Sequence, residues 1–322
     1  MYERFFGLRE RPFDLVPDLR YLFLSGPQRE ALSTLRYALE AARGLSLLIG
    51  EAGAGKSTLV QAALAEIGPG KTQCVLLSNP TLTRDEFFEF LAEAFGLGAQ
   101  EAASKTRFLS SFRRHLEERH LRGQLTALII DEAQSLPYEL LEEVRLLSNI
   151  ETPTSKLLSV ILTGQPELSQ RLNEPQLRQL KQRIALRCEL AVLGLPETAA
   201  YVAGRIRIAG GTPADVFTRE AVEAVFQASG GVPRLVNVIC DNALIGGFAA
   251  QTKPVTRAVV DEVLRDFDLA GATADFQSEA RGAGRPPRPL PAPGRVPARR
   301  DGPSGDDERP PGPALFARFG GR

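Results

Sequence analysis

Cysteine is scarce in this chain of 322 residues, with three in all, Cys74, Cys188 and Cys240. They lie far apart in apolar surroundings, show no metal-ligand spacing, and are odd in number. A disulfide framework or a cysteine-built metal centre is therefore not expected, and a reducing compartment is. Long hydrophobic runs are missing as well. No stretch approaches the roughly 18–20 apolar residues of a spanning helix. The opening MYERFFGLRE is charged and has no continuous apolar core of the signal-peptide kind. The expected location is the cytoplasm, with no integral membrane segment and any membrane association made through a partner. Nor is there an excess of either charge: 39 basic residues balance 39 acidic ones, so no global field favours a polyanion or an anionic bilayer.

What is present is the composition of an ordinary globular protein, 43% hydrophobic and 24% charged, with length enough for one large or two modest cores. The wealth of Arg, Ala, Gly and Leu reads as genomic base composition. Short apolar runs recur, each closed by turn or helix-start residues: LSLLIG at 45–50, QCVLLS at 73–78, LTALIID at 125–131, LLSVILTG at 157–164 and the less pure ALRCELAVL at 185–193. Such runs read as strands buried on both faces, the signature of a parallel sheet. Segments of helical spacing separate them, among them TRDEFFEFLAEAF and YELLEEVRLLSN, and a further helical stretch, REALSTLRYALEAAR, precedes the first. The fold class expected is therefore α/β, with a parallel sheet.

From about Pro196 the pattern is helical only, ending in TRAVVDEVLRDF with Val259, Val260, Val263, Leu264 and Phe267 on one face. Helices this short gain most of their stability by packing together, so a small bundle is expected. After Leu269 the chain turns to Pro, Gly and Arg, with too little apolar surface to offset chain entropy, and disorder is expected. The expected division is 1–195 as the α/β domain, 196–269 as a helical lid domain and 270–322 as a tail. The closing ALFARFGGR, with Leu315, Phe316 and Phe319, reads as an inert end or a short docking motif.

The run Gly50-Glu-Ala-Gly53-Ala54-Gly55-Lys56-Ser57 satisfies GxxxxGK[ST] at every specified position and stands between a strand and a helix. Glycines let backbone N–H groups approach phosphate oxygens without Cβ interference. The helix starting near Lys56, which continues through Thr58, adds about half a positive charge at its N-terminus. Lys56 is expected on the β- and γ-phosphates of ATP, and the Ser57 hydroxyl on Mg²⁺. A second apolar strand ends in Asp131-Glu132-Ala-Gln. Asp131 suits the Mg²⁺-holding position, because strand ends open onto the nucleotide crevice. Glu132 is placed to polarise a water, a role worth about 10²–10⁴ in rate.

With both motifs in place and a helical bundle after the sheet, the chain resembles an AAA+ ATPase, a P-loop NTPase. More narrowly it resembles the general secretion pathway protein A family, on MYERFFGLRERPFDLVPD, YLFLS, REAL, LTGQPELSQRL, LKQRI and GGVPRLVNVICDNAL, over residues 1–269. The resemblance implies roles for further residues. Gln165 is the sensor-1 group near the γ-phosphate, with Thr163 the alternative. Arg183 is the arginine finger reaching a neighbouring subunit, with Arg178 and Arg187 as rivals. Arg234 is the sensor-2 arginine of the lid. The N-terminal segment frames the adenine, with Phe13 and Pro17 offering apolar contact or simply packing in the core. Gln28 stands where the family commonly has His. Larger members continue into a membrane span and a peptidoglycan-binding domain. The chain therefore resembles the shorter soluble relatives found with pilus or exopolysaccharide machinery.

Three functions follow from these readings. The first is an oligomeric Mg²⁺-ATP hydrolase, a homo-oligomer with a protein partner in cell-envelope assembly (secretion, pilus or exopolysaccharide machinery). A DNA-binding ATPase of the transposition-targeting or initiator type is the second, and is less favoured. No winged-helix pattern follows Leu269, and the charge is balanced, although Arg299 and Arg300 offer weak nucleic-acid contact. The third is a nucleotide-dependent scaffold, against which Glu132 and a plausible finger argue.

Overall fold

Each of the five apolar runs becomes a strand in the computed structural model, which describes residues 1–266 apart from 69, 79 and 80. The strands are β1 (Leu45–Gly50), β2 (Thr72–Leu77), β3 (Leu125–Ile130), β4 (Ser159–Gly164) and β5 (Ile184–Leu190). All four pairings are parallel, in the order β2-β3-β4-β1-β5. β1 is flanked on both sides, with Leu45 level with Val160 of β4 and with Ile184 of β5. Its six residues are all buried, whereas the edge strands β2 and β5 keep exposed positions such as Leu76 and Arg187. That edge position is why the fifth run reads as less apolar than the others: one of its sides has no neighbour to cover it.

Helices fill the connections. Before and between the strands run α1 (Tyr2–Phe6), α2 (Gly26–Glu40), α3 (Lys56–Ile67), α4 (Arg84–Ala94), α5 (Ala99–Ala102) and α6 (Lys105–Leu121). They are followed by α7 (Tyr138–Leu147), α8 (Pro166–Arg171) and α9 (Arg178–Lys181). Helix α4 starts where the Thr83 hydroxyl accepts from the Glu86 N–H while the Glu86 carboxylate accepts from the Thr83 N–H, a reciprocal capping box. Strand side chains alternate between two cores. Leu47, Ile49, Leu128, Ile130, Val160 and Leu162 meet Phe87, Phe108 and Phe112 on one face. Leu48, Ile129 and Ile161 meet Leu32, Leu35 and Val60 on the other.

After β5 come α10 (Leu195–Ile208), α11 (Pro213–Val216), α12 (Arg219–Ser229), α13 (Pro233–Ala249) and α14 (Arg257–Asp266). Val216, Val225, Val236, Ile239, Leu244 and Val260 form their common core. Val259, Val260 and Val263 are buried on the inward face of α14, and Leu264 packs against it. Phe267, the end of the helical segment at 269 and the expected tail at 270–322 lie outside the described residues, as do Arg299, Arg300 and the closing Leu315–Phe319 motif.

Residues 2–13 stand in sequence beside the α/β part but share the core of the helical one. Tyr2, Phe6, Leu8 and Phe13 are buried there, and Phe5 meets Phe248 edge-on with ring centroids 5.6 Å apart. Arg205 of α10 clasps the same segment. Its guanidinium donates to the Pro12 carbonyl and, at 2.8 Å, to the Tyr201 hydroxyl, and it lies 4.7 Å over the Tyr21 ring.

Candidate nucleotide site

At the C-terminal end of the sheet β1 gives way to a loop that turns only because two residues lack a Cβ. Gly53 and Gly55 have φ of +79° and +100°, in the left-handed region. Helix α3 starts at the next residue, Lys56, with its free N–H groups facing the loop. The Lys56 ammonium is folded back into the loop, donating to the carbonyls of Gly50 at 2.8 Å and Glu51 at 3.0 Å. The side chain is 5% exposed, and burial pushes its pKa down, opposed by the charges of Glu132 and Asp131.

One residue on, the Ser57 hydroxyl of α3 donates to Asp131 Oδ2, just past the end of β3, at 2.7 Å. Asp131 Oδ1 accepts from the Glu132 N–H at 3.0 Å and from the Thr163 hydroxyl. The chain then enters the left-handed region at Glu132, φ +50°. That places the Glu132 carboxylate beside the end of β4, where Oε2 accepts from the Gln165 side-chain amide at 3.0 Å and from that of Gln134. The two sensor-1 candidates thus divide the carboxylates between them, Thr163 on Asp131 and Gln165 on Glu132.

Helix α13 supplies the opposite wall. Its Arg234 N–H donates to the Gly53 carbonyl at 3.2 Å, and a Cβ at Gly53 would fall 2.7 Å from Arg234 Cβ. A cavity of about 430 Å³ results, lined by Gly53 to Leu59, Asp131, Glu132 and Arg234, with Tyr21, Gln28, Tyr201, Arg205 and Asn237 farther round. Residues 14–18 close its rim, Pro17 included, with Leu15 and Val16 56% and 70% exposed. Phe13 takes the other course open to it: it is 1% exposed and meets Phe217 edge-on at 6.1 Å, so it is core and not cavity wall.

Of the residues singled out from the sequence, Gly53 to Thr58, Asp131, Glu132 and Arg234 line the cavity, Gly50 holds Lys56 through its carbonyl, and Gln165 reaches Glu132. Arg183 is not brought there. It sits exposed between α9 and β5, as does Arg178 at the start of α9, while Arg187 donates to the Ser169 hydroxyl at 2.8 Å. Sequence reasoning assigned no role to Arg205, Tyr21, Tyr201 or Asn237, because an arginine and tyrosines at helical spacing look like any amphipathic surface. Gln134 was visible only as the last letter of DEAQ. The oxygen set of Ser57 and Asp131, one hydroxyl and one carboxylate beside a phosphate loop, fits a hard cation that keeps most of its shell from water and phosphate. Among the described residues no group of three or more His, Cys, Asp or Glu side chains offers an all-protein metal cage.

A strand, a glycine loop and a helix bearing Lys-Ser, beside a second strand ending in Asp-Glu, define a P-loop nucleotide-binding protein. Comparison with known proteins narrows this. A family model described as an AAA domain matches residues 39–172. General secretion pathway protein A of Aeromonas hydrophila is 39% identical over 271 residues, which cover 84% of this chain and 49% of that protein. The chain thus spans about half the length of the curated relative it matches. Two solved structures share the fold: the ORC2 protein of Aeropyrum pernix in ADPNP–ADP complexes and Cdc6p of Pyrobaculum aerophilum. The first has a TM-score of 0.59 at 17% identity, covering 80% of this chain and 71% of that one. The second has a TM-score of 0.58 at 14% identity, covering 76% and 67%. The chain belongs to the AAA+ ATPases, in the family of general secretion pathway protein A.

Proposed function

We propose that the protein is a Mg²⁺-dependent ATP hydrolase that works as a homo-oligomer and drives assembly of cell-envelope machinery. The observation that carries the catalytic part is the convergence of Lys56, Ser57, Asp131 and Glu132 on one cavity whose far wall is Arg234. The loop N–H groups and Lys56 hold the phosphates, the ammonium exchanging its two loop carbonyls for phosphate oxygens. Ser57 and Asp131 hold Mg²⁺, which when bound offsets the charge that builds on the phosphate oxygens. Glu132 takes the proton of the attacking water, and Gln165 orients that carboxylate. Arg234 reports the γ-phosphate to the helical lid, residues 196–269, whose first contact with the loop is its own N–H on Gly53. Arg183, exposed and off the cavity, completes the site of the next subunit. Its position away from its own chain's nucleotide supports an action in trans.

The envelope role is supported by the similarity to general secretion pathway protein A, and the location proposed is the cytoplasm, with a partner at the membrane. No helix among the described residues is long and apolar enough to cross a membrane. The test is the ATPase rate per subunit across protein concentration, with and without double-stranded DNA, using Glu132→Gln as the blank. A rate that climbs with concentration, collapses in the blank and ignores DNA supports the proposal. A rate that appears only with DNA replaces it with a DNA-dependent ATPase, and a rate no higher than the blank removes hydrolysis from it.

A further inference from the structure

Glu132 has a backbone conformation that an L-residue adopts at a cost of about 1–2 kcal/mol, with φ at +50°. Such a residue persists where its surroundings over-determine it. The determining contacts centre on Gln134, two residues on. Its amide is engaged at both ends: Nε2 donates to Glu132 Oε2, and Oε1 accepts the Gln165 backbone N–H at 3.2 Å. Turning the amide over would set a donor against a donor and an oxygen against a carboxylate, so its orientation is fixed by its partners. Gly164 leaves the space it needs, since a Cβ there would lie 2.8 Å from Gln134 Oε1. The Gln165 amide takes the same Glu132 oxygen at 3.0 Å, which leaves Oε1 outside this pair of donors.

The main chain of Gln134 is tied in turn to the surface. Arg171, at the end of α8, donates to the Gln134 carbonyl, and its guanidinium lies 4.9 Å over the ring of Tyr138, the first residue of α7. The Tyr138 hydroxyl donates to Glu174.

We infer that Gln134 is a positioning residue for hydrolysis, holding Glu132 Oε2 so that Oε1 faces the reacting water, and that Arg171 on Tyr138 keeps Gln134 in place. The inference rests on the proposed role of Glu132 as the base. Two hydrogen bonds to one oxygen remove the carboxylate's rotational freedom before the reaction, so the gain falls on the chemical step and not on nucleotide binding.

The test is steady-state ATPase kinetics with nucleotide Kd measured separately. Gln134→Met, of similar length without donor or acceptor, is expected to lower kcat by about 10- to 100-fold with KM and Kd unchanged. Gln134→Asn, which keeps an amide too short to reach both partners, should show the same split and serves if the Met variant does not fold. Arg171→Met should lower kcat in the same direction by a smaller factor. Combining Gln134→Met with Gln165→Met should cost no more than the larger single loss, since both amides act through one carboxylate. Unchanged kcat in both Gln134 variants, losses shared between kcat and Kd, or fully additive losses would each overturn the inference. Should Glu132→Gln itself keep the parent rate, it is the base assignment that fails, which the Gln134 variants do not decide.

Discussion

The backbone N–H of Arg234 donates to the carbonyl of Gly53 at 3.2 Å, so the first turn of α13 is hydrogen-bonded directly to the phosphate loop. The joint is tight on the side-chain side too, with 2.7 Å between Arg234 Cβ and the position a Cβ would take at Gly53. The loop and the helical part are therefore in direct contact, with no intervening residue.

Gly53→Ala tests that joint. The new methyl meets Arg234 and must also accept a φ of +79°, a strain of about 1–2 kcal/mol before any clash. Nucleotide affinity should fall at least about tenfold, the equivalent of 1.4 kcal/mol, read from a fluorescent-nucleotide titration. Gly26→Ala, at a position with nothing within 4 Å of its Cβ and no positive φ, should leave affinity unchanged.

The buried Lys56 predicts a pH dependence of known sign. Burial lowers its folded pKa below the unfolded value, so between the two the unfolded chain binds more protons. The stability of the nucleotide-free protein should therefore rise with pH across that window, by this group's contribution. Phosphate binding needs the ammonium, so ATP affinity should fall as pH rises through the lowered pKa, with proton uptake on binding. Calorimetry in buffers of different ionisation enthalpy measures the uptake, and Lys56→Met should abolish it.

Arg205→Met removes the clasp on the N-terminal segment. The Pro12 carbonyl loses its donor, while the Tyr201 hydroxyl keeps its own bond to Asn237; a buried polar group left unpaired costs about 1–3 kcal/mol. Urea unfolding should show that loss, and trypsin should cut faster at Arg9. Equal stability and equal cutting would mean that the aromatic packing of Phe6 and Phe13 alone holds the segment.

Arg183→Ala should lose about 10³–10⁵ in kcat if it is the finger, with nucleotide Kd kept. Mixed with Glu132→Gln it should regain activity, because the intact Glu132 of one variant then meets the intact Arg183 of the other. Absence of any regain would exclude action in trans, and loss in Arg187→Ala alone would move the finger there.

The five strands and the phosphate loop were legible because their signals are local. LSLLIG is buried along its whole length as its run of apolar residues implies, and the glycines of GEAGAGKS carry the φ values their lack of a Cβ permits. The helices after Pro196 announce themselves in the same way. What stayed illegible depends on pairs distant in sequence. Ser57 and Asp131 are 74 positions apart and Arg205 and Pro12 are 193 apart, and no periodicity reports either contact. Phe13 could be read as cavity wall or core; only the position of Phe217 makes it core.

The sequence by itself therefore determined the elements, the α/β class and the chemistry gathered in two contiguous motifs, since turn geometry, strand burial and loop conformation are properties of neighbouring residues. The tertiary structure decided which motif faces which. It put β3 and β4 between β2 and β1, so that Asp131, Thr163 and Ser57 meet at the C-terminal end of the central strands. It also bound the opening residues to the helices that follow the sheet. Those outcomes follow from packing between faces that are far apart along the chain, where burial and hydrogen-bond geometry choose among partners that the order of residues leaves equivalent.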